Sequence, residues 1–230
     1  MSALAHASPA VAYAAVVAAS SCAARRGASP PSGKFILAYN LLNAALNAVV
    51  VGGLAGFFLA GFALSAPYDA AVERYVFLHL CLKGVDFIDT VLIVLRKRPR
   101  QLSFLHLWHH ATIGCMWSWV FFRLPRVGVS FAFGAFANSA VHVLVYLHYA
   151  AAAAGVRNPA RKCITGVQLA QFVLVGVHAW EVGRARAGTP DTEVFALCAA
   201  GTVAYMCTMV ALFGHFFATD RPRRKQAKLS

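Results

Sequence analysis

The 230-residue chain has 60% hydrophobic residues, only 13% charged residues and a mean hydropathy of +0.63. A soluble domain has too little interior to bury so much apolar surface, so the composition is typical of a polytopic membrane protein. The formal net charge of +13 could suggest a nucleic-acid-binding protein. However, the basic residues form short runs between apolar segments, without interleaved aromatic residues, which indicates loops beside a membrane and no nucleic-acid partner.

Seven apolar stretches separated by loops rich in Pro, Gly and Arg predict a bundle of about seven transmembrane helices. They cover residues 9–24, 35–64, 73–95, 104–122, 128–154, 162–182 and 192–217. The first stretch is short and no Lys or Arg precedes it, so we expect an uncleaved span with its N-terminus outside. No period of 20 to 50 residues repeats. The sequence therefore predicts an all-α fold with a single integral-membrane domain over residues 1–230, ending in a basic tail at 218–230.

The basic residues in the loops favour one orientation of this bundle. With the C-terminus in the cytosol, fifteen of the 21 basic residues lie on the cytosolic side and five on the opposite side. The five are Arg74, Arg123, Arg126, Arg184 and Arg186. The remaining basic residue, Lys83, lies inside a predicted span. This asymmetry predicts a cytosolic C-terminus.

Polar side chains recur at helical spacing on four successive predicted spans. Residues three or four apart share one face of a helix, so each set forms a polar stripe. The stripes are Lys83, Asp86, Asp89 and Thr90; His106, His109 and His110; Asn138, His142, Tyr146 and Tyr149; and Thr165, Gln168 and Gln171. Lys83, Asp86 and Asp89 facing lipid would together cost roughly 9 kcal/mol. We therefore predict a polar cavity inside the bundle, near its cytosolic end, with apolar walls deeper in the membrane that suit an acyl chain.

Several of these stripes resemble the motifs of the ELO family of very-long-chain fatty acid elongases, the 3-ketoacyl-CoA synthases of the endoplasmic reticulum. The matching residues are Lys83, Asp89 and Thr90 of a K-x-x-E-x-x-D-T element, Gln101 after an arginine-lysine run, His106, His109 and His110 of an H-x-x-H-H box, Asn138, His142 and Tyr146 of an N-x-x-x-H-x-x-M-Y element, and Gln168 and Gln171 of a Q-x-x-Q element. The resemblance covers about residues 34–217. Asp86 stands where the family has Glu, and Val145 where it has Met.

The resemblance implies condensation of an acyl-CoA with malonyl-CoA, giving 3-ketoacyl-CoA, carbon dioxide and coenzyme A, without a metal or other cofactor. A desolvated neutral imidazole can attack a thioester, and His109 is our candidate nucleophile. His142 is the candidate group that polarises the malonyl unit, and His106 and His110 would orient and hydrogen-bond. Cys115, one turn past the box, is a weaker alternative. We expect the basic residues at 96–100, and Lys162, to bind coenzyme A phosphates.

Two other enzyme or carrier classes remain as alternatives from the residues alone. A membrane di-iron desaturase or hydroxylase also carries H-x-x-H-H boxes, but it needs about eight histidines in several boxes to ligate two irons. A proton-coupled transporter could use Lys83 and Asp89 as a proton relay.

The resemblance also implies a location in the endoplasmic reticulum membrane and partners among the enzymes that complete the elongation cycle. The sequence assigns neither acyl chain length nor unsaturation, and it leaves self-association open. His79, His148, His178 and His215 complete no motif, so we interpret them as structural.

Overall fold

The computed structural model describes residues 3–59, 69–123, 128–156 and 161–226, which contain α-helices, 3₁₀ turns and no strand. The α-helices are α1 (Ala3–Arg25), α2 (Gly33–Leu59), α3 (Ala70–Val85), α4 (Phe87–Leu95), α5 (Phe104–Arg123), α6 (Ala132–Ala153), α7 (Arg161–Ala185) and α8 (Thr192–Gln226). Two 3₁₀ turns, Pro99–Gln101 and Gly128–Phe131, precede α5 and α6. The predicted all-α fold is confirmed.

The eight α-helices of the described residues match the seven predicted spans. The third span corresponds to α3 and α4 together, because Asp86 alone separates these two helices. The ends differ from the prediction in places. The last four residues before α6 form a 3₁₀ turn instead of α-helix, and α8 continues nine residues past the predicted end at 217. Residues 60–64, the predicted end of the second span, lie outside the described residues.

Three helical segments in the described residues are long and apolar enough to cross a bilayer without help from neighbours: Gly33–Phe58, Cys163–Ala185 and Thr192–Thr219. Pro9–Arg25 is apolar but shorter. The helices between the first two of these segments carry three of the four polar stripes, so they suit a membrane where those stripes face protein. These features are those of a polytopic helical membrane protein.

The chain divides into two compact units, Met1–Asn158 and Pro159–Ser230. In the first unit, α2 packs along α6 and α3, α1 packs along α5 and α4, and α3 also contacts α5 and α6. The second unit is a pair of packed helices, α7 and α8, in which Phe172 and Phe213 lie 5.0 Å apart between ring centroids. The single domain predicted over residues 1–230 stays a prediction.

Aromatic contacts and one glycine fix the register of α2 against its neighbours. Tyr39 near the start of α2 contacts Tyr146 of α6, and Phe58 at the other end contacts Phe136. Gly53 of α2 faces Tyr75 of α3 so closely that a Cβ at this position would collide with the tyrosine ring. Both pairs of helices are therefore antiparallel, and α2 closely approaches the helix that carries Lys83.

The end of α4 is unusual because Lys97 adopts a left-handed conformation, with φ of 52°. Its N–H donates to Val94 O at 3.0 Å, and the N–H of Arg98 donates to Ile93 O at 3.1 Å. This hydrogen-bond pattern closes many helices, but glycine normally occupies the left-handed position, as Gly155 does after α6. A basic side chain thus stands where the backbone would favour glycine, in the loop that leads to the histidine box.

Candidate active site

A buried ion pair at the end of α3 is hydrogen-bonded to α6 in the first unit. Lys83 Nζ lies 2.9 Å from Asp86 Oδ2 and 3.0 Å from Asn138 Oδ1. The side chains of Lys83 and Asp86 are 1% and 2% exposed. Because the two residues are three apart, one helical turn brings the ammonium group onto the carboxylate. The structure thus assembles two of the predicted polar stripes into one cluster.

Tyr146 of α6 extends this cluster to the second carboxyl group. Its hydroxyl lies 2.7 Å from Asp86 Oδ1 and 2.9 Å from Asp89 Oδ2. A phenol has one proton, so both contacts are hydrogen bonds only when one carboxyl group holds a proton as well. Lys83 then faces a single negative charge, and the buried cluster is neutral, as a low-dielectric site requires.

His142 of α6 presents an unprotonated ring nitrogen to the same cluster. Its Nδ1 lies 2.9 Å from the backbone oxygen of Asn138, which only accepts, so Nδ1 carries the proton of the neutral ring. Its Nε2 lies 3.7 Å from Asp86 Oδ2, which is too long for a hydrogen bond. Nε2 therefore keeps a lone pair and is the atom that would receive a proton.

The histidine box lies on the first turns of α5. Ser103 begins this helix by accepting the N–H of His106 on its Oγ at 3.1 Å. The rings of His106 and His110 lie 4.3 Å apart, and those of His109 and His110 lie 5.6 Å apart. His106 Nε2 is also 2.8 Å from the hydroxyl of Thr90, which joins the box to α4.

The box and the ion-pair cluster belong to one site. His106 Nε2 bonds to Thr90 Oγ1 at 2.8 Å, and the residue before Thr90, Asp89, lies 2.9 Å from the hydroxyl of Tyr146. Helix α4 therefore contacts both the histidine box of α5 and the polar cluster of α3 and α6. This arrangement brings together imidazoles that can act as nucleophiles, a proton acceptor at His142 Nε2 and the positive charge of Lys83. Acyl transfer uses groups of these three kinds.

Other predicted residues lie elsewhere or stay untested by geometry. Gln101 is exposed on the turn before α5. Gln168 and Gln171 lie on α7 in the second unit, and Gln171 is buried there. Tyr149 continues the α6 stripe, with its ring 6.4 Å from that of Tyr146, but its side chain is 48% exposed, so its place in the cavity stays a prediction. The side chain of Lys162 lies outside the described residues.

The basic run before α5 is a surface loop. Lys97, Arg98 and Arg100 are exposed, and Arg96 is half-buried. Partial burial and the neighbouring charge of Arg98 lower the pKa of Arg96, but a guanidinium group stays charged at neutral pH. The run ends at Arg100, six residues before the box begins at His106, so its charges lie near the end of α5 where the imidazoles start.

Metal ligation and cysteine chemistry have little geometric basis in the described part of the chain. No three side chains of His, Cys, Asp or Glu among these residues are arranged to hold a metal ion. Cys115 is half-buried, and its thiol contacts the backbone oxygen of Ala111 in its own helix at 3.4 Å.

The structure adds polar residues that the sequence stripes did not include. Tyr13 of α1 bonds to Thr90, with 2.9 Å between the hydroxyl oxygens. His79 of α3 contacts Ser139 of α6, with 2.8 Å between Nδ1 and Oγ. Asn43 and Asn47 of α2 are fully buried, and their Oδ1 atoms have no hydrogen-bond partner among the described residues. The sequence contained a sign of this polar face, because the spacing of Asn40, Asn43 and Asn47 places them on one side of α2.

Comparison with known proteins supports the resemblance read from the motifs. The model of the ELO family, described as the GNS1/SUR4 family, matches residues 5–228. "Fatty acid elongase 5" of Leishmania major is 36% identical over 197 residues, which cover 84% of this chain and 76% of that protein. "Fatty acid elongase 5" of Trypanosoma cruzi is 40% identical over 156 residues, covering 67% of this chain and 61% of that protein.

A more distant relative is "Very long chain fatty acid elongase 1" of Homo sapiens, which is 38% identical over 118 residues, covering 50% of this chain and 42% of that protein. The chain thus spans less than two thirds of the length of the trypanosome and human relatives. The family match extends beyond the predicted 34–217 at both ends and includes α1. The predicted family is confirmed: this chain belongs to the ELO (GNS1/SUR4) family.

Proposed function

We propose that this chain is a fatty acid elongase that condenses an acyl-CoA with malonyl-CoA to give 3-ketoacyl-CoA, carbon dioxide and coenzyme A. The observation that carries this proposal is the site in which α4 joins the histidine box, through the Thr90–His106 bond, to the buried cluster of Lys83, Asp86, Tyr146 and His142. The names of the relatives support the same chemistry and weigh against the di-iron and transporter alternatives.

In the first half of the reaction, a ring nitrogen of His109 attacks the thioester carbonyl of the acyl-CoA. The carbon–sulfur bond breaks, and coenzyme A leaves as a thiolate, which takes a proton from water at the mouth of the site. The proton lost from the acylated imidazole passes to His142 Nε2, the lone pair that the bond from Nδ1 to Asn138 leaves available. The carboxylate of Asp86, 3.7 Å away, stabilises the imidazolium that results.

In the second half, malonyl-CoA loses carbon dioxide, and the electron pair of the broken carbon–carbon bond forms an enolate of the thioester. His142, now protonated on both nitrogens, donates a hydrogen bond to the enolate oxygen. The enolate carbon attacks the acyl group on His109, which releases the imidazole and forms 3-ketoacyl-CoA. Proton transfer from His142 back to His109 restores the starting state.

The charged loop at 96–100 is the proposed binding surface for the phosphates of coenzyme A. Arg and Lys are the side chains that bind phosphate oxygens best, and here they are exposed at the end of α5 that carries the box. The distribution of basic residues supports a cytosolic face for this loop and for the C-terminus. We also propose, on the resemblance to the family, a location in the endoplasmic reticulum membrane and partners among the reductases and dehydratase of the elongation cycle.

The test is product formation by the purified protein in detergent, with a panel of acyl-CoAs and radiolabelled malonyl-CoA. We expect labelled 3-ketoacyl-CoA from the wild type and from His215→Gln, which changes an exposed histidine of α8. We expect none from His109→Ala. Incubation with acyl-CoA alone, followed by peptide mass spectrometry, should find the acyl group on His109. Absence of product from every acyl-CoA with folded protein would overturn the proposal, and an acyl group on Cys115 would overturn the assignment of the nucleophile.

A further inference from the structure

The N-terminal helix contributes a side chain to the buried site. Tyr13 of α1 is 3% exposed, and its hydroxyl oxygen lies 2.9 Å from Thr90 Oγ1. Its ring lies nearly parallel to that of His110, with 6.0 Å between centroids, and contacts Phe87 at 4.9 Å. Helix α1 packs on α4 and α5, the two helices that carry Thr90 and the histidine box.

Three polar atoms form a continuous chain from α1 to the box. Tyr13 OH contacts Thr90 Oγ1, and Thr90 Oγ1 contacts His106 Nε2 at 2.8 Å. Each hydroxyl group has one proton and two acceptor lone pairs, so the chain has three possible arrangements. In the first, Tyr13 donates to Thr90 and Thr90 donates to His106. In the second, His106 donates to Thr90 and Thr90 donates to Tyr13. In the third, Thr90 accepts from both Tyr13 and His106.

Burial decides between these arrangements. In the second arrangement, the phenol proton of Tyr13 would need another acceptor, and in the third the proton of the fully buried Thr90 hydroxyl would need one; the structure shows neither acceptor among the residues it describes. A buried donor without a partner costs about 1–3 kcal/mol. In the first arrangement, both hydroxyl protons are used and His106 Nε2 accepts. The geometry therefore favours a neutral His106 whose proton is on Nδ1.

We propose that Tyr13 is a positioning residue of the condensation site, which acts through Thr90 to hold His106 as the Nδ1–H tautomer. This inference rests on the proposed function for its role in the reaction, although the hydrogen-bond chain stands on geometry alone. The His106 ring packs against His110 at 4.3 Å, and His110 packs against His109, so the orientation of His106 limits where the other box rings lie. Helix α1 is then part of the catalytic unit.

The first experiment compares Tyr13→Phe with Ser20→Ala. Tyr13→Phe removes the hydroxyl but keeps the ring against His110. Ser20→Ala also removes a buried hydroxyl from α1, and that hydroxyl donates only to Val17 of its own helix in the described structure. We expect Tyr13→Phe to lower kcat about fivefold to tenfold with little change in KM, the rate equivalent of one hydrogen bond. Ser20→Ala should keep the wild-type kcat.

A double-mutant cycle separates positioning from general packing. If Tyr13 acts through Thr90, Thr90→Val alone should cost as much kcat as Thr90→Val combined with Tyr13→Phe. Fully additive losses would overturn the proposal, because they would mean that the two side chains act independently.

The tautomer itself is read by nitrogen NMR of histidine-labelled protein, with the His106 signals assigned from their loss in His106→Gln. We expect the Nδ1–H pattern in the wild type and a shift toward Nε2–H in Tyr13→Phe. An unchanged tautomer in Tyr13→Phe, or Nε2–H in the wild type, would overturn the proposal. This readout needs no turnover, so it still tests Tyr13 if the wild type proves to have no condensing activity, a result that would refute the proposed function instead.

Discussion

Removal of the Lys83 ammonium group should be among the most destabilising single changes in the first unit. The ion pair with Asp86 is almost completely buried, and Lys83 also donates to Asn138. At 2.9 Å and an effective dielectric constant of about 20, the Coulomb attraction is roughly 6 kcal/mol. Much of this attraction offsets the cost of desolvating both charges, so the net value of the pair is smaller.

Removing one partner of a buried ion pair should destabilise the protein more than replacing both partners, because the remaining charge is left buried without its counter-charge. Lys83→Met leaves the Asp86 carboxylate buried without its cation, which costs about 3–5 kcal/mol of the free energy of unfolding. For a chain of this size, that corresponds to a melting temperature lower by about 6–20 °C. Lys83→Met combined with Asp86→Asn leaves no unpaired charge from this pair. We therefore expect it to cost less than the sum of the two single changes by up to about 3 kcal/mol.

Thermal unfolding of the detergent-solubilised variants, followed by intrinsic fluorescence, measures these differences. Lys34→Met is the matched control, since it removes an exposed lysine from the first turn of α2. It should change the melting temperature by no more than about 1–2 °C. Equal effects of Lys34→Met and Lys83→Met, or a double variant as destabilised as the sum of its parts, would refute the coupled buried pair.

Three further changes test other parts of the first unit by the same unfolding assay. Gly53→Ala should destabilise by about 1–3 kcal/mol because its Cβ meets the Tyr75 ring, whereas Gly52→Ala, which has open space, should be neutral or stabilising. Lys97→Gly should stabilise the protein by about 1 kcal/mol because glycine adopts the left-handed conformation without strain. Lys97→Ala removes the same charge but should not stabilise the protein. If loss of the charge raises KM for acyl-CoA, both variants should show the same rise. Tyr146→Phe should cost about 1–3 kcal/mol because it removes the hydroxyl between two buried carboxyl groups.

Helical periodicity was enough to predict most of the fold and the core of the candidate site. Lys83, Asp86 and Asp89 recur at three-residue intervals, so any helix through them places them on one face, and the cost of exposing them to lipid turns that face inward. The same reasoning applies to Asn138, His142 and Tyr146, which the structure brings against Lys83 or Asp86. Periodicity fixes a face, however, and not how far that face extends. Tyr149 continues the α6 spacing, yet about half of its side chain is exposed, whereas Tyr146 is buried.

Contacts between helices distant in sequence were beyond reach of the spacing rules. The partner of Thr90 is 77 residues away in the chain, and no pattern within α1 specifies which helix receives Tyr13. A weaker signal was present, since Tyr13 is the sole aromatic residue before Phe35. A phenol in an apolar Ala- and Val-rich segment needs a hydrogen-bond partner. That requirement predicts a polar contact for Tyr13 without identifying it.

The departure from Glu to Asp at position 86 becomes understandable from the contacts that this carboxylate makes. Asp86 lies at the junction of α3 and α4, where its two oxygens bind Lys83 on the preceding turn and Tyr146 on α6, at 2.9 and 2.7 Å. The shorter side chain therefore reaches both partners. Val145, the other departure, is half-buried beside Tyr146 in sequence and points to a different face of α6, as consecutive helical residues do. The residues that differ from the family pattern thus leave the buried charge arrangement intact, which favours a working condensation site over an inactive one.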